Sequence, residues 1–171
     1  MPKVANAKTK KKAKVKPIPK GYHTATPYLF VKDAARAIDF YKAAFNAKEV
    51  MRFPAPGGRV GHAEIKIGDS PIMLADESPQ MGAPGPKTLG GSTVMLHLYV
   101  RDVDKVVEQA TAAGAKVIRP VADQFYGDRA GALEDPFGHL WHVASRKEHV
   151  PPKELRKRAE AAMAGHGQGG K

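Results

Sequence analysis

Histidine is the side chain in this sequence best suited to chemistry near neutral pH. The chain has seven histidines and no cysteine. A thiolate metal site, a cysteine nucleophile and a disulfide framework are therefore excluded. His62 and Glu64 sit two residues apart within Val60 to Ile67, where apolar and polar residues alternate. On a strand that spacing puts both on one face. There an imidazole and a carboxylate can ligate a metal or act as a general base with its partner. His97 shares a face with Met95 in the same way. His139 and His142 are three apart, so on a strand they point to opposite faces. Spacing alone does not separate ligating histidines from polar ones that only line a cleft, and both readings stay open. Tyr126, Asp128 and Arg129 lie in a loop before a strand. Arg129 can grip a carboxylate or phosphate with two parallel hydrogen bonds, or pair with Asp128 or Glu64 and brace the loop. Gly57-Gly58 and Gly90-Gly91 read as turns, not as a phosphate-binding loop. No Ser-His-Asp set is recognisable.

These residues must be held by strands and helices, which alternate along the middle of the chain. Thr24 to Val31 is rich in β-formers. Asp33 is a helix cap, and Ala37, Ile38, Tyr41 and Phe45 follow at helical spacing. Lys48 to Phe53, Val60 to Ile67 and Pro71 to Ala75 read as strands, with a turn over Pro54 to Gly58. A loop rich in Pro and Gly spans Glu77 to Ser92. Thr93 to Val100 is a strand, and Asp102 to Ala113 a helix that stops at Gly114. Lys116 to Val121, Arg129 to Leu133 and Leu140 to Ser145 are strands, the last two joined by the turn Asp135-Pro136-Phe137-Gly138.

The order is β-α-β-β-β, twice. Tyr28-Leu29-Phe30-Val31-Lys32-Asp33 mirrors His97-Leu98-Tyr99-Val100-Arg101-Asp102 at a spacing of 69 residues. Ala47-Lys48 mirrors Ala115-Lys116 at 68, and Arg59 and Gly61 mirror Arg129 and Gly131 at 70. Such a repeat implies a duplicated unit. The expected fold is α+β: two βαβββ modules forming a curved mixed sheet around a cleft, with the helices outside.

The net charge of +11 is unevenly placed. Residues 1–20 hold eight lysines and no acid, residues 146–171 seven basic and three acidic side chains, and the middle 13 basic and 14 acidic. Residues 1–20 are expected to be a disordered basic tail, either simply solvated or making weak, salt-sensitive contact with a polyanion. The tail has no aromatic residue to stack on bases. Residues 21–149 form the expected domain. Residues 150–171 give a C-terminal helix over Lys153 to about Ala164, after Pro151-Pro152, and a glycine-rich end. No apolar run is long enough to span a bilayer. The start lacks the apolar stretch and cleavage site of a secretory signal, so a cytoplasmic location is expected.

Val-Lys-Asp-Ala-Ala-Arg-Ala-Ile-Asp-Phe-Tyr (31–41) resembles the first strand-helix junction of the vicinal oxygen chelate superfamily, the glyoxalase/bleomycin resistance/dioxygenase fold. Asp-Pro-Phe-Gly-His-Leu-Trp (135–141) resembles its last hairpin. Ile-Gly-Asp-Ser-Pro-Ile-Met-Leu (67–74) and Asp-Gln-Phe-Tyr-Gly-Asp-Arg (123–129) are similar to its PhnB-like branch. The resemblance covers about residues 21–149. This fold hosts lyases, ring-cleaving dioxygenases, isomerases, epimerases, thiol transferases and antibiotic-binding proteins, so it does not fix a reaction. Metal-dependent members hold one divalent ion with four side chains, one from each of four strands. The resemblance puts those positions here at Thr26, Met73, Met95 and His142. Only His142 suits zinc, nickel or iron, since thioethers are soft donors and catalytic zinc ordinarily takes three protein ligands. The family's metal site is therefore expected to be absent. A shifted site from His62, Glu64, His97 and His142 is the alternative, with one divalent metal ion as cofactor.

Alternation places Thr26, Tyr28, Phe30, His62, Glu64, Met73, Met95, His97, Tyr99, Leu140 and His142 on the cleft face, with Tyr126 and Arg129 from the loop beside it. This mixture of aromatics, methionines and a few polar groups suits a small-molecule pocket, or simply closes the interior. Three functions compete. The first is a metal-free small-molecule binder. The second is a metal-dependent glyoxalase-type lyase or dioxygenase using the shifted site. The third is a nucleic-acid accessory role for the lysine tail. The resemblance also implies a homodimer, with the cleft closed within one chain or between two.

Overall fold

The computed structural model describes residues 15–166. The basic segment before residue 15 and the glycine-rich end after 166, for which disorder was expected, lie outside the described residues. The order is β1 (Tyr28–Val31), α1 (Ala34–Phe45), β2 (Lys48–Ala55), β3 (Arg59–Ile67), β4 (Ser70–Asp76), α2 (Pro86–Leu89), β5 (Met95–Tyr99), α3 (Val103–Ala112), β6 (Lys116–Asp123), β7 (Asp128–Glu134), β8 (Leu140–Arg146) and α4 (Pro152–His166). The strands form two four-stranded mixed sheets, ordered β1-β4-β3-β2 and β5-β8-β7-β6. The first strand of each module runs parallel to the last, and the other pairs are antiparallel. The α+β fold of two βαβββ modules is as the repeat predicts.

The boundaries move where proline decides them. β1 starts at Tyr28, later than the expected Thr24, because Pro27 has no N–H to give to a ladder. Pro27 still contributes its carbonyl, which accepts from Met73 N at 2.9 Å. β2 and β6 instead run past their expected ends and carry Pro54 and Pro120. Both are outer strands interrupted by register shifts, the position where a strand tolerates proline. Part of the Glu77 to Ser92 loop is ordered into α2, with Pro86 at its start. The Glu77 carboxylate ties that loop down, accepting from Gly85 N at 2.7 Å and Thr88 Oγ1 at 2.6 Å.

One core joins the modules. α1 buries Ala37, Ile38, Tyr41, Ala44 and Phe45, a stripe with helical spacing. It packs on the first sheet and against α3. Its Tyr41 and Phe45 rings also reach Trp141 of the second sheet, with centroids 5.4 and 4.7 Å away. Beneath them lies Asp135, 2% exposed. Its carboxylate accepts from Tyr41 OH, Trp141 Nε1, and the backbone N–H groups of Phe137 and His139, all at 2.8–2.9 Å. Leu29, Val31, Ala63, Ile65, Leu133, Trp141 and Val143 are the buried sheet faces of this core.

The helix-free faces are left open. Among the described residues no ladder joins the two sheets. α4 is half-docked: Arg158 reaches Glu148 at 2.7 and 2.9 Å and Glu154 at 3.0 Å. No helix of the described residues is long and apolar enough to cross a membrane.

Candidate functional site

The expected cleft residues fall into two groups, one on each sheet. On the first sheet, Met73 of β4 lies between Tyr28 of β1 and Glu64 of β3 in register. Cross-strand neighbours share a face, so the three form one row, with His62 two residues along. Glu64 is buried, unusual for a carboxylate, and Tyr22 donates its hydroxyl to Glu64 Oε2. Glu64 Oε1 lies 3.4 Å from His62 Nε2, and Tyr28 OH lies 2.9 Å from His62 Nδ1. An Nε2–H facing the carboxylate leaves Nδ1 to accept from Tyr28. Tyr28, His62 and Glu64 thus form a chain along which a proton can pass. Desolvation pushes the Tyr28 phenol above its ordinary range, and the bond to Glu64 does the same to Tyr22. Phe53 lies parallel to His62 at 6.3 Å. Thr26 precedes β1 and is half-buried.

On the second sheet, His97 of β5 lies opposite His142 of β8, with the two Nδ1 atoms 2.9 Å apart and the rings 4.6 Å apart. One ring must donate and the other accept. Burial is the main cause that holds His142 below its usual pKa, followed by the charges of His97 and Arg119. Tyr99 donates to the buried Asp128 at 2.8 Å, and that bond raises its phenol pKa. Tyr126 is half-buried beside Phe125, and burial raises its phenol pKa too. Met95 opens β5 and is 42% exposed, and Tyr99 is 65% exposed, so neither is closed over within the chain.

Arg129 departs from its expected place in the cleft. It follows Asp128 on β7 and so points to the other face. There it grips Asp104 of α3 with Nε at 2.8 Å and Nη2 at 2.7 Å, and Asp123 with Nη1 at 3.2 Å. It braces helix to sheet and pairs with neither Asp128 nor Glu64. Asp128, expected only as a loop partner for Arg129, belongs to a face instead, as do Tyr22 and Arg119, which no sequence signal marks. Arg119 lies opposite Ala132 of β7, which lies opposite His142. The register shifts in β6 hid it from simple alternation.

Side chains of the two faces share no hydrogen bond, ion pair or ring contact among the described residues. The seam between the modules is grooved instead. A hollow of about 740 Å³ runs beside the free edge of β1, lined by Phe30, Leu89, Val94, Leu96 and His139. Another of about 980 Å³ lies between the end of α1, the β3–β4 turn and β5, where it meets His97 and Tyr99. The four family metal positions present a hydroxyl, two thioethers and one imidazole, a donor set that does not fit a borderline or hard divalent ion. Among the described residues no group of three or more His, Cys, Asp or Glu side chains is placed to hold a metal.

Comparison with known proteins identifies the class. Residues 22–143 match the model of the Glyoxalase/Bleomycin resistance protein/Dioxygenase superfamily, and the chain belongs to that superfamily. An uncharacterized protein of Mycobacterium bovis, Mb0911c, is 43% identical over 147 residues, covering 84% of this chain and 94% of the relative. Among solved structures, the Arabidopsis thaliana At5g48480 gene product superposes with a TM-score of 0.60 at 28% identity, over 72% of this chain and 98% of the other. The PhnB protein of Bacillus cereus shares the fold, with a TM-score of 0.57 at 19% identity over 72% and 99% of the chains.

Proposed function

We propose that this chain is a PhnB-like member of the superfamily that binds a small, partly aromatic or apolar molecule in a metal-free cleft. The observation that carries the reading is the set Thr26, Met73, Met95 and His142 at the family's metal positions. The proposed cleft walls are the two helix-free faces, with aromatic and thioether side chains around a few polar groups, the usual make-up of a small-molecule site. The proposed assembly is a homodimer, in which the face of one chain closes on that of another. The proposed location is the cytoplasm, and the Lys-rich tail adds weak, salt-sensitive affinity for polyanions.

The test is elemental analysis of protein purified without chelators or a histidine-rich tag, together with a thermal-shift screen of small aromatic molecules. The reading expects no stoichiometric metal and a rise in Tm with a subset of compounds. About one ion per chain, lost in His142→Ala, would overturn it. One observation favours a second reading, a metal-dependent lyase or dioxygenase with a displaced site: the His97 and His142 nitrogens are close enough to share an ion. The same metal analysis separates the two.

A further inference from the structure

We propose that the helix-free face of the second sheet carries a subsite for the anionic head group, carboxylate or phosphate, of a small organic ligand, formed by Arg119, His97 and His142. The inference rests on the reading of these faces as a small-molecule site. It adds the chemical class of ligand.

Four strands set one row of residues across this sheet: His97, His142, Ala132 and Arg119. Only a methyl group separates the imidazoles from the strand that bears the guanidinium. The gap is two strand spacings, on the order of 10 Å, and an arginine leaning inward leaves space for an oxyanion between itself and the rings. Arg119 is exposed, and its guanidinium makes no hydrogen bond or ion pair among the described residues. Its charge is nevertheless felt by His142 and Tyr126 on the same face. The carboxylates of this face are already engaged: Asp128 by Tyr99 at 2.8 Å, and Glu134 by Lys87 at 2.8 Å. Arg146, opposite Asp128 in register, is turned to His149 at 2.6 Å. An unpaired guanidinium facing hydrogen-bonded imidazoles lacks an anion to complete it.

The histidine pair adds a hydrogen-bond donor. With one Nδ1–H donated to the other Nδ1, the accepting ring has its proton on Nε2 and offers it to a ligand.

The test titrates the full-length chain with benzoate, phenylphosphonate and neutral benzamide by calorimetry at neutral pH. The expected result is binding of at least one anion, about tenfold or more tighter than benzamide. Whichever of benzoate and phenylphosphonate binds tighter identifies the head group. Arg119→Met weakens the anion about tenfold with Tm and benzamide binding unchanged, and Arg119→Lys recovers part of the loss. Equal binding of benzoate and benzamide, or full anion affinity in Arg119→Met, overturns the subsite and leaves the small-molecule cleft standing. Failure of every probe also overturns the subsite, while the cleft is judged separately by its thermal-shift screen.

Discussion

Asp135 belongs to the motif that most strongly marks the family resemblance, yet its role here is structural. Four donors converge on one buried carboxylate. Asp135→Ala leaves buried N–H and O–H groups without an acceptor, each costing about 1–3 kcal/mol. A loss of about 4 kcal/mol or more is expected in urea unfolding, compared with changes within about 0.5 kcal/mol for an exposed substitution. Tyr41 shows the same burial through pH. Desolvation, then the Asp135 charge, then the hydrogen bond between them hold its phenol well above the ordinary value of 10.0. The unfolded chain releases that proton first, so the contribution of Tyr41 to stability is full below about pH 10 and is lost as pH rises beyond it. Tyr41→Phe should cost about 1 kcal/mol at neutral pH and make the alkaline fall shallower. An unchanged alkaline limb would contradict this account.

At the scale of elements, the repeat was legible because each module repeats the same local chemistry. Asp33 and Asp102 both cap a helix, accepting from Arg36 N and Lys105 N at 3.1 Å. They differ in backbone: Asp102 is extended at φ −140°, and Asp33 is left-handed at φ 70°. Replacing Asp102 by alanine should cost about 1 kcal/mol, the usual value of a cap. At Asp33, alanine loses the cap and stays strained, whereas glycine loses the cap without the strain. Asp33→Gly should therefore unfold at higher urea than Asp33→Ala, and the opposite order would refute the strained-cap assignment. Alternation also placed His62, Glu64, His97 and His142 on their faces. It failed where the chain departs from period two. The expected strand opens at Arg129, but β7 already includes Asp128, so the two residues point apart. Arg119 sits between two register shifts in β6, which alternation cannot locate. Tyr22 reaches Glu64 across 42 positions from a segment with no periodicity. The 16-residue stretch before β5 looked like bare loop because its order comes from the Glu77 hydrogen bonds, a tertiary effect.

Considered as a whole, the chain leaves two kinds of surface unfinished. β1 pairs only with β4 and β5 only with β8, so each sheet ends in a free edge. Both edges border grooves, and the one beside β1 has an apolar lining. Phe53, Tyr99 and Ile118 are 57, 65 and 42% exposed, more large apolar surface than scattered single residues account for. An open edge beside apolar surface is a liability that proteins ordinarily cover. α4 does not do so, because Arg158 fastens it near Glu148 and Phe125. The proposed homodimer covers both surfaces at once, and the internal duplication makes that closure natural. A first module from one chain and a second from another are close to equivalent, so two copies can pair by a twofold and cover the β1 and β5 edges. Such an association is driven by apolar burial between nearly neutral domains, so it should persist in high salt, unlike contacts made by the lysine-rich tail. The expected outcome is a dimer at micromolar concentration in sedimentation. The backbone amides of residues 28–31 and 95–99 should exchange more slowly as the protein is concentrated. A monomer throughout that range, with edge amides that exchange independently of concentration, would mean that each face works alone. The histidine pair and the His62–Glu64 chain would then be separate sites, not opposite walls of one.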